Sequence, residues 1–182
     1  MEIADLLLHP VRLRIVHAGM DGLAFTTSRL CARLPDVSKA TVYRQVAVLV
    51  EGGMIEVVGE ERVRGAVERT YRLQTSRTAI DDAAAAAMST ADHQRGFAAA
   101  IAALLAEFNV YVGRPDARPL ADSVSYRQFS LWLSEEEKAA FIQEMVVVIR
   151  ARMTNTPTPA RRRHLASTIL FPADSLSDTA AS

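Results

Sequence analysis

The chain has 182 residues, a formal net charge of zero and 49% hydrophobic residues, which allows one ordinary domain or two small ones and excludes a disordered protein. No uninterrupted run reaches 18 apolar residues, which argues against a membrane span, and the start MEIADLLLHP lacks the basic head and cleavage site of a signal peptide. The single cysteine, Cys31, excludes an intramolecular disulfide, and His9, His17, His93 and His164 show no metal-ligand spacing, so the expectation is a cytoplasmic protein with no metal and no cofactor.

In chain order, residues 2–8 read as a short helix. A second begins at Pro10, a residue tolerated at the first helical position because its missing N–H would have no partner there. Leu13, Val16 and Ile15 supply its buried stripe, and Gly19 and Gly22 end it. In TTSRLCARLPD, Thr26 or Thr27 caps a short helix with Leu30 and Leu34 inward, and Pro35-Asp36 breaks the chain. The segment SKATVYRQVAVLVEGG predicts a helix over 38–52, with Val42, Val46 and Leu49 on one face and Gly52-Gly53 as its stop. The period then changes to two: MIEVVGE and VERTYRL read as strands joined by the charged turn EERVRGA. Two helices with a tight connection, followed by a β-hairpin, is the order of a winged helix-turn-helix.

Charge follows the same division. Residues 10–77 hold eleven Lys/Arg against seven Asp/Glu and carry +4, whereas residues 1–9 and residues 78–182 each carry −2. A basic head on a mildly acidic body suits a segment that meets nucleic acid. With Val42, Val46 and Leu49 inward, the early outward positions of the 38–52 helix are Ser38, Lys39, Thr41, Arg44 and Gln45, with Tyr43 at the boundary. A recognition helix enters the major groove by its N-terminal end. Arg44 suits a bidentate contact to guanine and Gln45 one to adenine; Lys39 and Thr41 suit phosphate, and Tyr43 a sugar or phosphate. Arg62 and Arg64, on the predicted wing tip, would reach the backbone or a minor groove. Plainer readings stand beside these: Ser38 as an N-cap only, Tyr43 half-buried against the wing, and wing arginines that are merely solvated.

The segments HPVRLRIVHAG, VSKATVYRQVAVLVEGGMIEVV and VERTYRL resemble the ArsR-type winged-helix repressors, and TVYRQVAVLVEGG also resembles the matching helix of Fur-type regulators. The resemblance covers residues 1–75 and lies in the order of elements. It implies that 38–52 is the recognition helix, that 54–73 is the wing, and that the protein is a dimeric transcription regulator. Two departures count against metal sensing. The close cysteine pair of the metal-sensing members is missing, Cys31 standing alone in SRLCARLP, and so are the His-rich ligands of Fur. The apolar neighbours of Cys31 make it a small core residue.

The second half differs in texture. Residues 79–88 are alanine-rich, and Ser89 or Thr90 caps a further helix with Asp92 in its first turn. Phe97, Ile101, Leu104 and Phe108 form a stripe on that helix at i, i+4, i+7 and i+11, which reads as a dimer interface, with an intramolecular core helix as the alternative. After the loop GRPDARPLADS, YRQFSLWL alternates as a strand. SEEE opens a helix running to Met153, its three carboxylates complementing the positive end of the helix dipole. TNTPTPARRR is a loop, HLASTILFP a final strand, and ADSLSDTAAS a mobile tail. A strand–helix–strand unit would place Tyr126, Trp132 and Met145 at a candidate pocket for an unidentified small-molecule effector, or simply in a stabilising core.

The expectation is therefore an α+β chain. Residues 1–77 form a winged helix-turn-helix, 78–113 a helical dimerisation segment, 114–174 a C-terminal strand–helix–strand unit, and 175–182 a tail. Its expected partners are double-stranded DNA and a second copy of itself, with no membrane. The sequence holds no P-loop, GxSxG, HExxH or GxGxxG, so no enzyme is expected. A protein-interaction adaptor that uses the winged helix for docking is the alternative.

Overall fold

The computed structural model describes residues 3–63, 65–77 and 82–173. It divides into two compact units, one reaching to Ser130 and the other starting at Leu131.

The first unit opens with α1 (Ile3–Leu7) and α2 (Pro10–Gly19). His9 caps α2: its Nδ1 accepts the Val11 N–H at 3.2 Å, and Pro10 takes the first helical position. β1 (Phe25–Thr26) leads directly into α3 (Thr27–Arg33), which Thr26 caps by accepting from the Arg29 N–H at 3.3 Å. α4 (Lys39–Glu51) follows after a short turn, and Ser38 caps it, its Oγ accepting from the Thr41 N–H at 3.2 Å. Gly53 has φ of 66°, a left-handed conformation that lets the chain leave α4 sharply and that glycine adopts without a Cβ clash.

β2 (Ile55–Val63) and β3 (Ala66–Leu73) pair antiparallel from Ile55 opposite Leu73 to Val63 opposite Ala66, with an irregularity between Val57 and Gly59. The hairpin is tighter than the sequence predicts. EERVRGA is mostly ladder, and the strands run to within two residues of each other. β1 adds to the other edge of β3, with Phe25 opposite Tyr71, giving the order β1-β3-β2. This two-residue strand has no periodic signal of its own; the edge of β3 creates it.

The core joins the inner faces of these elements: Leu6, Ile15, Val16, Leu30, Leu34, Val42, Val46, Leu49, Met54 and Ile55 are all buried, and Phe25, Tyr71 and Leu73 close it from the sheet. Cys31 is half-buried against it. The fit is close where α2 meets the sheet: a Cβ on Gly19 would lie 2.9 Å from the Phe25 ring and 3.1 Å from Leu73 Cβ. The stripe of α2 is Ile15 and Val16, with Leu13 only half-buried.

A 3-10 turn (Thr75–Arg77) ends the winged helix. α5 (Asp82–Ala87) precedes α6 (Thr90–Val112), which starts with a reciprocal capping box between Ser89 and Asp92. α6 packs on α2 and buries Ala99 and Ala103, whose small side chains permit close approach. By length and composition alone α6 is long and apolar enough to cross a membrane. Its docking on α2, and the ion pair that Glu107 makes there, account for one face without a bilayer. Phe97, Ile101, Leu105 and Val112 lie exposed, whereas Leu104 and Phe108 are half-buried.

The second unit contains α7 (Glu135–Met153), opened by a capping box between Ser134 and Glu137, with Arg150 and Arg152 in its last turn. None of its residues is buried. The strand–helix–strand expectation is corrected here. Residues 124–130 of the first unit, and 131–134 and 155–173 of the second, carry no strand. Alternation assigns faces to an extended segment but supplies no partner for its N–H and C=O groups, and without a partner edge no ladder forms.

Candidate nucleic-acid interface

α3, the turn at 34–38 and α4 form the helix-turn-helix, with the β2–β3 hairpin as its wing. The inner face of α4 is Val42, Gln45, Val46 and Leu49. Its outer face holds Lys39, Ala40, Tyr43, Arg44 and Ala47, all exposed, with Tyr43 at 56%. Ala40, Tyr43, Arg44 and Ala47 fall at i, i+3, i+4 and i+7, so they share one stripe. The two alanines leave room for a close approach, a feature that carries no polar signal in the sequence. Ser38 is exposed; its Oγ accepts from the Thr41 N–H and donates to Thr41 Oγ1 at 2.9 Å, and Thr41 is half-buried.

Gln45 is a correction. It is only 5% exposed, and its Oε1 accepts a hydrogen bond from Arg12 Nη1 at 3.1 Å. Three residues after Val42 and four before Leu49, it lies on the inner face despite its polarity, and Arg12, 33 positions away, satisfies its amide oxygen there. Arg12 also donates from Nε to the Leu6 carbonyl at 2.6 Å and from Nη2 to the Asp5 carbonyl at 2.7 Å. One guanidinium thus ties the last turn of α1 to the middle of α4. Burial lowers its pKa, and Asp5 opposes the shift.

His9 stands near this face. Burial lowers its pKa first, and the Arg12 and Arg44 cations lower it further. The ring is neutral at neutral pH, as its role as acceptor at Nδ1 requires.

A buried guanidinium fixes the start of α4. Arg14 is 2% exposed and grips Asp36 with two parallel bonds, Nη1 to Oδ2 at 2.6 Å and Nη2 to Oδ1 at 2.8 Å. Its Nε donates to Glu107 Oε1 of α6 at 3.0 Å, and Arg33 Nη2 lies 3.9 Å from Glu107 Oε2. Burial disfavours the Arg14 cation, but the bonds and charges of Asp36 and Glu107 outweigh it and push the pKa up. The hydrogen bond from Arg14 holds the Asp36 carboxyl below its usual range. Asp36 is two residues from the Ser38 cap, so this cluster joins α2, the turn before the recognition helix, and α6. Sequence reading missed Arg14 because a charge among apolar residues gives no periodic signal.

On the wing, Arg62 is exposed in β2 opposite Val67, and Arg69 is ion-paired with Glu60 at 2.8 Å. Arg64 lies outside the described residues. Tyr126 belongs to the first unit, edge-on to Phe108 with ring centroids 6.3 Å apart; Trp132, exposed, and Met145, half-buried, belong to the second.

This architecture is a winged helix-turn-helix, a fold typical of DNA-binding transcription regulators. Residues 7–58 match the family described as helix-turn-helix domain. Among solved structures, the chain is similar to a protein with a GntR superfamily winged-helix-turn-helix domain from Halomicrobium mukohataei, at 19% identity and a TM-score of 0.37, over 75% of this chain and 89% of that one. No curated protein matches the chain.

Proposed function

We propose that the protein is a cytoplasmic, ArsR-like transcription repressor that binds a palindromic operator as a homodimer and performs no enzymatic chemistry. The observation that carries this reading is the outer stripe of α4. Tyr43 and Arg44 stand exposed between Ala40 and Ala47, with Lys39 exposed just before them, on a helix whose other face is locked into a core. Arg44 reads a base edge, Lys39 meets phosphate, and Tyr43 packs on the backbone, with Ser38 and Thr41 shaping the helix start. Arg62 and Arg64 of the wing reach the adjacent backbone or minor groove. Gln45 acts from below as a positioning residue.

Support for the homodimer comes from α6. Phe97, Ile101, Leu105 and Val112 leave an apolar ridge exposed on the side not spent on α2, and Leu104 and Phe108 flank it. A two-fold axis through such a ridge would pair two recognition helices and require half-sites one helical turn apart or a multiple of it.

Selection of bound sequences from random duplex DNA, at two salt concentrations, tests the reading. Recovery of an inverted repeat is the expected result. Recovery of no motif, with binding lost at moderate salt, would sink it and favour a docking role for the winged helix.

A further inference from the structure

A cleft of about 480 Å³ lies inside the first unit, between the helix-turn-helix and α6. Pro35 and Asp36 of the turn form one wall, and Ala106, Asn109, Val110 and Gly113 of α6 the other. The volume falls within the range of small-molecule sites, roughly 300–1,000 Å³. The lining is mostly apolar: the proline ring, the alanine and valine side chains and the bare glycine backbone.

The charged side chain on its lining is acidic. This is Asp36, 44% exposed, and it remains ionised because Arg14 holds it so. The Arg14 guanidinium that balances it is buried behind the turn at 2% exposure, out of reach of a molecule in the cleft. The α6 wall is the helix C-terminal end, where carbonyls leave a partial negative charge; no basic residue stands in the last turn, and Arg114 follows just after Gly113. Carboxylate and helix terminus both favour a cation over an anion. Two of the four lone-pair positions of Asp36 take Arg14 and a backbone N–H also bonds the carboxyl, which still leaves a position for an incoming ammonium.

We propose that this cleft binds a small organic amine with an apolar body, its ammonium at Asp36 and its body against Ala106 and Val110, and that occupancy changes DNA affinity. The coupling rests on the regulator reading above; the binding site does not. The transmitting element is the Asp36–Arg14–Glu107 cluster. A molecule between the turn and α6 contacts both, so it favours whichever spacing of the two suits it. Asp36 lies two residues before the cap of α4, and the spacing therefore sets how that helix is presented relative to α6. The Tyr126, Trp132 and Met145 group plays no part in this site.

The test is a backbone-amide NMR titration of the full chain with phenethylamine, tryptamine and cyclohexylamine, and with phenylacetate as the anionic control. The amines should saturably shift amides near Asp36 and along residues 106–113, and phenylacetate should not. Ala106→Trp should abolish the shifts by filling the cleft; Asn109→Trp, at an exposed position, serves if the first variant fails to fold. No shift, equal shifts with phenylacetate, or shifts indifferent to filling would overturn the site. The amine that binds is then added to the selected operator. A change in affinity of at least about fivefold, lost in the filled variant, is expected, and an unchanged affinity would overturn the coupling. Failure to bind any DNA would remove the regulator reading and the coupling with it, while the titration still decides the cleft.

Discussion

Arg12 Nη1 donates to Gln45 Oε1 at 3.1 Å, and through that bond a side chain of α2 supports the middle of α4 from below. Arg12 completes the clamp on the last turn of α1, so three helices share one guanidinium. Gln45→Ala would leave a part-buried cationic donor without its acceptor. The expected cost is about 1–3 kcal/mol in denaturant unfolding, with base preference in the selection unchanged. A loss of adenine preference without a loss of stability would instead make Gln45 a reader.

Arg14→Ala removes the cation between Asp36 and Glu107 and leaves two carboxylates facing each other across its former place. Breaking a buried pair costs about 3–5 kcal/mol. Because Asp36 is 44% exposed and can regain water, the low end, about 3 kcal/mol, is expected in urea unfolding. A change within experimental error would show that the cluster is not a support for the turn.

Two substitutions separate base reading from phosphate contact. Arg44→Ala should cost about 1–3 kcal/mol on the selected operator and relax one base position, with little change on random duplex. Lys39→Ala should weaken both sequences alike and reduce the salt slope by about 1. Equal losses on operator and random DNA for Arg44→Ala would place it on the backbone.

Stability should fall on mild acidification. His9 and His17 both titrate below the ordinary 6.5, chiefly through burial. For His9 the Arg12 and Arg44 cations add to it; for His17, Glu107 opposes the shift and Arg33 and Arg14 add to it. Just below pH 6.5 the unfolded chain binds more protons than the folded one, so stability rises with pH there. The contribution is complete above 6.5 and is lost as pH falls toward the folded-state values. Urea midpoints should drop between about pH 7.5 and about pH 5.5. His17→Gln should flatten that limb, as should His9→Asn, which retains a capping oxygen.

Ile101→Glu and Leu105→Glu place a charge on the exposed ridge of α6. Each should raise the dimer dissociation constant by more than about tenfold, or about 1.4 kcal/mol, in sedimentation equilibrium. Circular dichroism should be unchanged, because neither side chain is buried in the chain itself. A monomeric parent protein would dispose of the homodimer.

The sequence by itself determined whatever rests on local chemistry. Val42, Val46 and Leu49 repeat at helical spacing and are buried; Ser38, Ser89 and Ser134 cap helices because their hydroxyls reach N–H groups three residues on; alternation and a glycine-bearing turn make the wing. Tertiary structure decided the rest, because the deciding partner is distant in the chain. Gln45 looks outward by polarity, yet helical spacing sets it among Val42, Val46 and Leu49; the folded chain supplies Arg12, the partner that lets an amide be buried there. Arg14 can be buried only where Asp36 and Glu107, 22 and 93 positions away, converge on it. Phe25–Thr26 becomes a strand because β3 offers an edge, whereas residues 126–133 alternate just as a strand would and form none. Periodicity records which faces a segment has; hydrogen bonds and ion pairs need a second group within about 3 Å, and only the folded chain brings it there.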